Sequence, residues 1–325
     1  MSRHLPKLIL LLLIPTLVFS SCELFWEKPM EGDVYAIMVA LDYENSSQSD
    51  LAGTIPDAEE LFFALTAVTS KADRAFHGYK FLQEDKDIYS SSTTHDIGGT
   101  PISDYPSITN IENAIAQLAT ITKDEDLILF TYSGHGGADG TIALAPMNSG
   151  DTAYTYLTTT LLTRLSAVKG KKLVILDSCY SGIPIPESSS SLSLVYENSI
   201  NDWFNQYWSS EDYTIPDIFL LTAAADTESW EISVAGHKHG DFTLTLLEGL
   251  GWPDPHPTIS ANPTTVDAVS QPRALKGSVL TVDSLYSYIK DHQTYPIRST
   301  LFWPRTNVQH PMTNGGAMDM ILFRF

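Results

Sequence analysis

The chain has 325 residues, 43% of them apolar, with 19 Lys and Arg against 39 Asp and Glu for a formal net charge of −20. Such a composition belongs to a globular chain with a sizeable core and excludes a largely disordered, collagen-like or polytopic membrane protein. The acidity argues against nucleic acid as a partner, because phosphate contacts need clustered Lys and Arg; it suits basic peptides or divalent cations.

The N-terminus reads as an export signal. Arg3 and Lys7 precede an apolar stretch from Leu8 to Phe19, too short to span a bilayer and suited to secretion. It ends in Phe19-Ser20-Ser21-Cys22. This resembles the bacterial lipobox, whose Cys becomes the lipid-modified first residue of the mature chain, although Phe19 stands where Leu is usual. The expected organisation is a signal peptide over 1–21, a lipidated N-terminus and tether over 22–33, and one domain over 34–325. The expected location is the cell envelope, exported and lipid-anchored through Cys22 to a bacterial membrane on its periplasmic or surface side. After processing, one thiol remains, Cys179, so no internal disulfide is expected and the core must carry stability.

The elements follow in chain order. Val34 to Leu41 is a continuous apolar run, as expected of a strand covered on both faces. Asp57 to Thr69 sets Ala58, Leu61, Phe62, Leu65 and Val68 at helical spacing. His77 to Gln83 is a weaker strand, nearer a sheet edge. Thr109 to Thr120 is a helix with Ile111, Ile115 and Leu118 inward, and Leu127 to Tyr132 a second buried strand. Leu157 to Val168 reads as a helix, Leu173 to Leu176 and Ile218 to Thr222 as strands, Phe242 to Leu250 and Val282 to Ile289 as helices, and Met320 to Phe323 as a fifth buried strand. Alternating strand and helix predicts a mainly parallel, about six-stranded sheet in a three-layer α/β/α sandwich. Residues 84–105, 183–216 and 253–277 read as irregular. The second of these holds Trp203, Phe204, Tyr207 and Trp208, read as a wall over the site or a satellite cluster of core.

Sites in such sheets form beyond the carboxyl ends of the strands. One strand runs out into Tyr132-Ser133-Gly134-His135-Gly136, another into Asp177-Ser178-Cys179-Tyr180-Ser181-Gly182. Neighbouring strands would set His135 beside Cys179, a nucleophile with its proton acceptor. A free Cys is only slightly ionised near neutrality, so an imidazole serves to take the thiol proton and to give one to the leaving amine.

These two motifs together resemble the caspase-like cysteine peptidases, in their metacaspase and bacterial branch. The segment Leu51-Ala-Gly-Thr-Ile-Pro-Asp57-Ala, the run Leu221-Thr-Ala-Ala-Ala-Asp226 and Gly240-Asp-Phe-Thr243 match further parts of that family in its order. The resemblance implies a caspase-like fold and a cysteine endopeptidase with Cys179 as nucleophile and His135 as general acid/base. It implies an oxyanion hole from the backbone N–H groups of Gly136 and Cys179, and a substrate (S1) pocket holding Asp177, Asp226, Asp57 and Ser133. Carboxylates there select a peptide or protein substrate with Arg or Lys before the cut. Asp57 has a second reading as the N-cap of its helix. His237 and His239 read as part of a surface turn.

From Leu173 to His237 there are ten acidic residues and no Lys or Arg. An enzyme that cuts only after basic residues cannot cut itself there, so a single-chain enzyme is expected; separately, the expected oligomeric state is a monomer. No cofactor is expected, with Ca²⁺ in the acidic stretch as the alternative although no EF-hand-like loop is present. The competing functional reading is a catalytically silent caspase-like module that binds partners at the envelope.

Overall fold

Strands that are apolar on both sides need a layer of helices over each, and the chain supplies both layers. The computed structural model describes residues 31–84, 88–182, 218–224, 228–234, 237–253, 269–293, 309, 311–313 and 320–325. Cys22, Asp226, the aromatic group around Trp203 and the 183–216 stretch lie outside them.

In chain order the elements are β1 (Val34–Leu41), α1 (Thr54–Lys71), β2 (Phe76–Gln83), β3 (Thr94–Ile97), β4 (Thr100–Ser103), α2 (Ile108–Ile121), β5 (Leu127–Ser133), β6 (Thr141–Leu144), β7 (Tyr154–Leu157), α3 (Thr158–Ser166), β8 (Lys171–Asp177), β9 (Ile218–Thr222), β10 (Glu231–Val234), β11 (His237–Gly240), α4 (Asp241–Gly249), β12 (Val279–Thr281), α5 (Val282–His292), β13 (Met312–Thr313) and β14 (Ile321–Arg324). Six strands form the central sheet in the order β13-β9-β8-β5-β1-β2. Its five longer strands run parallel, and β13 pairs antiparallel with β9.

Alternate residues of each central strand enter opposite cores. Ile37, Val39, Phe130, Tyr132, Val174 and Leu176 face α2 and α3. Ala36, Met38, Leu129, Leu173, Ile175 and Phe219 face α1, α4 and α5. Burying each large apolar side chain contributes about 1.5–3 kcal/mol, so these two clusters hold the three layers together without a cross-link.

The helix ends follow local chemistry. Ser107 caps α2 by accepting from the Asn110 N–H, and Thr281 with Ser284 forms a reciprocal capping box on α5. Pro56 sits in the first turn of α1, where its missing N–H costs nothing.

The structure departs from the sequence expectation in several places, among them the unforeseen short strands β6, β7, β10, β11 and β12. The strand at Ile321–Arg324 pairs antiparallel with β12 and not with the central sheet; its apolar residues pack into the layer of α1, α4 and α5. The sixth sheet strand is the two-residue β13, too short to show any periodicity. Residues 84–105 hold the hairpin β3–β4, turned by Gly98 and Gly99 with φ of 62° and 82°. Two positive φ values at a two-residue loop are the turn that matches strand twist, and glycine adopts it without strain. Among the described residues no helix is long and apolar enough to cross a membrane.

Candidate active site

Sheet register brings the two motifs together. Strands β5 and β8 are adjacent, and their last residues, Ser133 and Asp177, are direct partners. His135 and Cys179 each lie two residues beyond that pair, so the chain leaves the sheet on both strands in step. The Gly134 N–H donates to the Asp177 carbonyl (3.2 Å), which carries the pairing one residue further. A Cβ on Gly136 would collide with the Cys179 carbonyl oxygen, so only glycine lets the two backbones meet there. Directly after Cys179 the chain turns sharply through Tyr180, in the left-handed region at φ 56°. His135 and Cys179 both line a cavity of about 100 Å³, with Asp57, Ser133, Asp177 and Glu231.

His135 is held by its backbone and by its ring. The hydroxyl of Tyr43 accepts from the His135 N–H (2.8 Å), and the hydroxyl of Tyr132 donates to the His135 carbonyl (2.7 Å). The two hydroxyls also touch each other at 2.8 Å, and both reach the Ala143 carbonyl at 2.9 Å. Both tyrosines are buried, and burial pushes their hydroxyls well above the ordinary range, so they stay neutral donors. The Tyr43 ring lies 4.5 Å from the imidazole. Nε2 of His135 is 2.8 Å from the Ser49 carbonyl. A carbonyl oxygen only accepts, so Nε2 carries the proton and Nδ1 is left with the free lone pair.

Cys179 is partly buried, and its thiol faces the Ser229 carbonyl at 3.9 Å. Burial pushes the thiol up, and the negative charges of Glu228 and Asp177 add to the effect. A thiol in these surroundings stays protonated at neutral pH and needs a base to become a nucleophile.

The floor of the cavity is acidic. Asp177 is 5% exposed and Asp57 is 1% exposed. One Asp177 oxygen accepts from the Thr243 N–H (3.1 Å) and hydroxyl (2.7 Å), the other from the Ser229 hydroxyl (2.7 Å). Asp57 accepts from the Ser133 hydroxyl (2.8 Å) and the Gly240 N–H (3.2 Å), and lies 3.0 Å from Nδ1 of His239. Glu231 accepts from the Gly53 N–H at 2.6 Å. Burial pushes both aspartates up; for Asp57 the charge of Asp177 is the next cause. Among the described residues no Lys or Arg lines the cavity. Burying a carboxylate without a cation is costly, and that cost is what raises both aspartates.

The structure places the residues singled out in the sequence as follows. Asp57, Ser133 and Asp177 line one cavity with His135 and Cys179. Asp57 does not cap α1: the N-cap is Gly53, and Asp57 lies inside the first turn with its carboxylate buried against β11. His239 is not on a surface turn; it is 2% exposed, because Asp57 and Glu60 on the buried side of α1 draw it inward. Asp226 lies outside the described residues. Sequence reasoning missed Tyr43, Ser49, Ser229, Glu231 and Glu60. Of these only Glu60 carried a signal, lying three residues after Asp57 and so on the same helix face. Among the described residues no group of three or more His, Cys, Asp and Glu is arranged to hold a metal ion.

Comparison with known proteins places this chain in a family. Two similar solved structures are a structural-genomics target from Geobacter sulfurreducens and caspase-1 from Spodoptera frugiperda. The first is 17% identical over 87% of this chain and 93% of that chain, with a TM-score of 0.46. The second is 14% identical over 90% of this chain and 89% of that chain, also with a TM-score of 0.46. No curated protein matches the chain. A family model described as the caspase domain, a cysteine peptidase family, matches residues 34–292. The chain therefore belongs to the caspase domain family.

Proposed function

We propose that this protein is a cysteine endopeptidase that hydrolyses peptide bonds after Arg or Lys. The observation that carries the reading is the shared cavity: a Cys and a His at paired strand ends, over buried carboxylates with no Lys or Arg among the described lining residues.

The basic side chain before the cut enters between Asp177 and Asp57, where charge-assisted hydrogen bonds replace its hydration. Nδ1 of His135 takes the Cys179 proton as the sulfur attacks the scissile carbonyl carbon. The carbonyl oxygen becomes an oxyanion that accepts from the backbone N–H groups of Cys179 and Gly136. The C–N bond then breaks and the imidazolium gives its proton to the leaving amine. Water, activated by the same imidazole, hydrolyses the thioester and returns the thiol. The Ser49 carbonyl and the two tyrosines keep the ring aimed throughout.

The test is turnover of fluorogenic peptides with Arg, Lys, Asp, Asn or citrulline before the cut, by wild type and Cys179→Ala. Turnover after Arg and Lys that vanishes in the variant supports the reading. Turnover only after Asp or Asn removes the pocket assignment. No turnover of any peptide leaves a binding module.

A further inference from the structure

Behind the recognition cavity lies a second tier of buried ionisable groups that the proposed chemistry does not use. His239 of β11 sits between two carboxylates of α1. Its Nδ1 is 3.0 Å from Asp57, and its Nε2 is 3.5 Å from Glu60. The three side chains are between 2% and 5% exposed. Glu60 also takes a hydrogen bond from the side chain of Trp252, just after α4. The arrangement is a file from Trp252 through Glu60 and His239 to Asp57, which opens on the cavity.

We propose that His239 is a positioning residue for substrate recognition: clamped by Glu60, it donates from Nδ1 to Asp57 and holds that carboxylate toward the cavity to receive a basic side chain. This rests on the reading of the cavity as a pocket for Arg or Lys.

Three observations support a recognition role over a purely structural tie. First, an ionic trio is a poor way to join a strand to a helix, since apolar side chains of the same volume pack as well without the desolvation cost. Second, the Asp57 carboxylate is divided between tiers. Oδ1 faces His239, while Oδ2 faces Ser133 at the end of β5, where the cavity begins. Third, among the described residues the charged groups that face His239 are acidic: Asp57 and Glu60 from α1 and, further off, Asp177 from β8. With Glu231 on β10 also lining the cavity, the pocket carries a concentration of negative charge. Burial disfavours the charged imidazole and the charged Glu60 alike. A proton placed on Glu60 then leaves a neutral ring that still donates to Asp57, so the file needs no internal cation facing the cavity.

Side-chain geometry separates the two bonds of the ring. An Asn amide nitrogen occupies the place of Nδ1 and can donate to Asp57, whereas Leu can do neither. The experiment compares wild type, His239→Leu, His239→Asn and Glu60→Gln on two peptides, one with Arg and one with its neutral isostere citrulline before the cut. Wild type should prefer Arg. In H239L the Arg-to-citrulline ratio of kcat/KM should fall about tenfold, the size of one lost charge-assisted hydrogen bond, and through KM more than kcat. H239N should recover most of the ratio, and E60Q should lose part of it. Thermal melting identifies variants that fold, and E60Q carries the comparison if H239L does not. An unchanged ratio in folded H239L, or in folded E60Q if H239L is lost, overturns the role of His239 and leaves the pocket reading standing. A wild type that does not prefer Arg over citrulline overturns the pocket reading and this proposal together.

Discussion

Replacing Tyr43 with Phe removes one hydroxyl and keeps the ring, so the effect isolates what that oxygen does. In the native structure it accepts the His135 N–H at 2.8 Å and lies 2.8 Å from the Tyr132 hydroxyl. The ring itself is fully buried and packs against the imidazole at 4.5 Å; Phe preserves both contacts. The variant therefore leaves the His135 N–H without this acceptor. An unsatisfied buried donor costs about 1–3 kcal/mol. At roughly 2–4 °C per kcal/mol for a large domain, Tm falls by several degrees. The bond from Tyr132 to the His135 carbonyl remains, so the loop should stay folded but less well aimed. A misplacement of up to about 1 Å lowers kcat by about tenfold to a hundredfold, with little change in KM because the acidic pocket is untouched. Differential scanning fluorimetry and steady-state kinetics on an Arg peptide read both effects. Tyr132→Phe should give a similar loss, and the double variant less than the product of the two, since the hydroxyls share one network. If Y43F keeps wild-type kcat while Tm falls, the tyrosine pair is structural and does not orient His135.

Further outcomes follow from the same geometry. Asp57 and Asp177 are raised in the free protein and would be lowered by a bound guanidinium, so binding releases protons. Accordingly kcat/KM for Arg peptides should fall as pH drops through the raised free-protein values, and a citrulline peptide should lack that acidic limb; equal limbs for both peptides would contradict the pocket. The raised Cys179 thiol should alkylate slowly with iodoacetamide at neutral pH and faster as pH rises through its pKa, and undiminished labelling in mild acid would instead reveal a preformed thiolate. Gly240→Ala places a Cβ against the Asp177 carboxylate and should raise KM for Arg peptides well beyond any change in kcat. The purified protein should run as one band on a denaturing gel after incubation at high concentration, because residues 173–237 contain no Lys or Arg; fragments split within 183–216 would refute cleavage restricted to basic residues.

Much of the fold was legible because buried parallel strands are written as continuous apolar runs. β1, β5, β8 and β9 and the five described helices announce themselves in this way or by helical spacing. What escaped was short or two-sided in meaning. β13 has two residues and no pattern. The run at the C-terminus is as apolar as a sheet strand, but it packs in a helix layer. The Gly98-Gly99 turn was written in the sequence and passed over inside a stretch of polar residues. At the site, His135 and Cys179 were legible because each follows an apolar strand and lies beside glycine. Their supports were not. Tyr43 and Ser49 act through a hydroxyl and a backbone carbonyl brought in from 92 and 86 residues away. Nothing local marks such a partner. His239 looked like a surface residue because its neighbours Lys238 and Gly240 are turn-like, and only the strand pairing of β10 with β11 turns its ring toward α1.

The most direct test of the central claim is covalent capture by a peptidyl ketone that carries a leaving group, with Arg, Asp or citrulline at the residue before the warhead. Intact mass and peptide mapping locate the label. The account predicts a single adduct on Cys179, formed much faster with Arg than with citrulline or Asp, slowed in His135→Ala and absent in Cys179→Ala. A label on another residue, or equal rates for the three peptides, would contradict it.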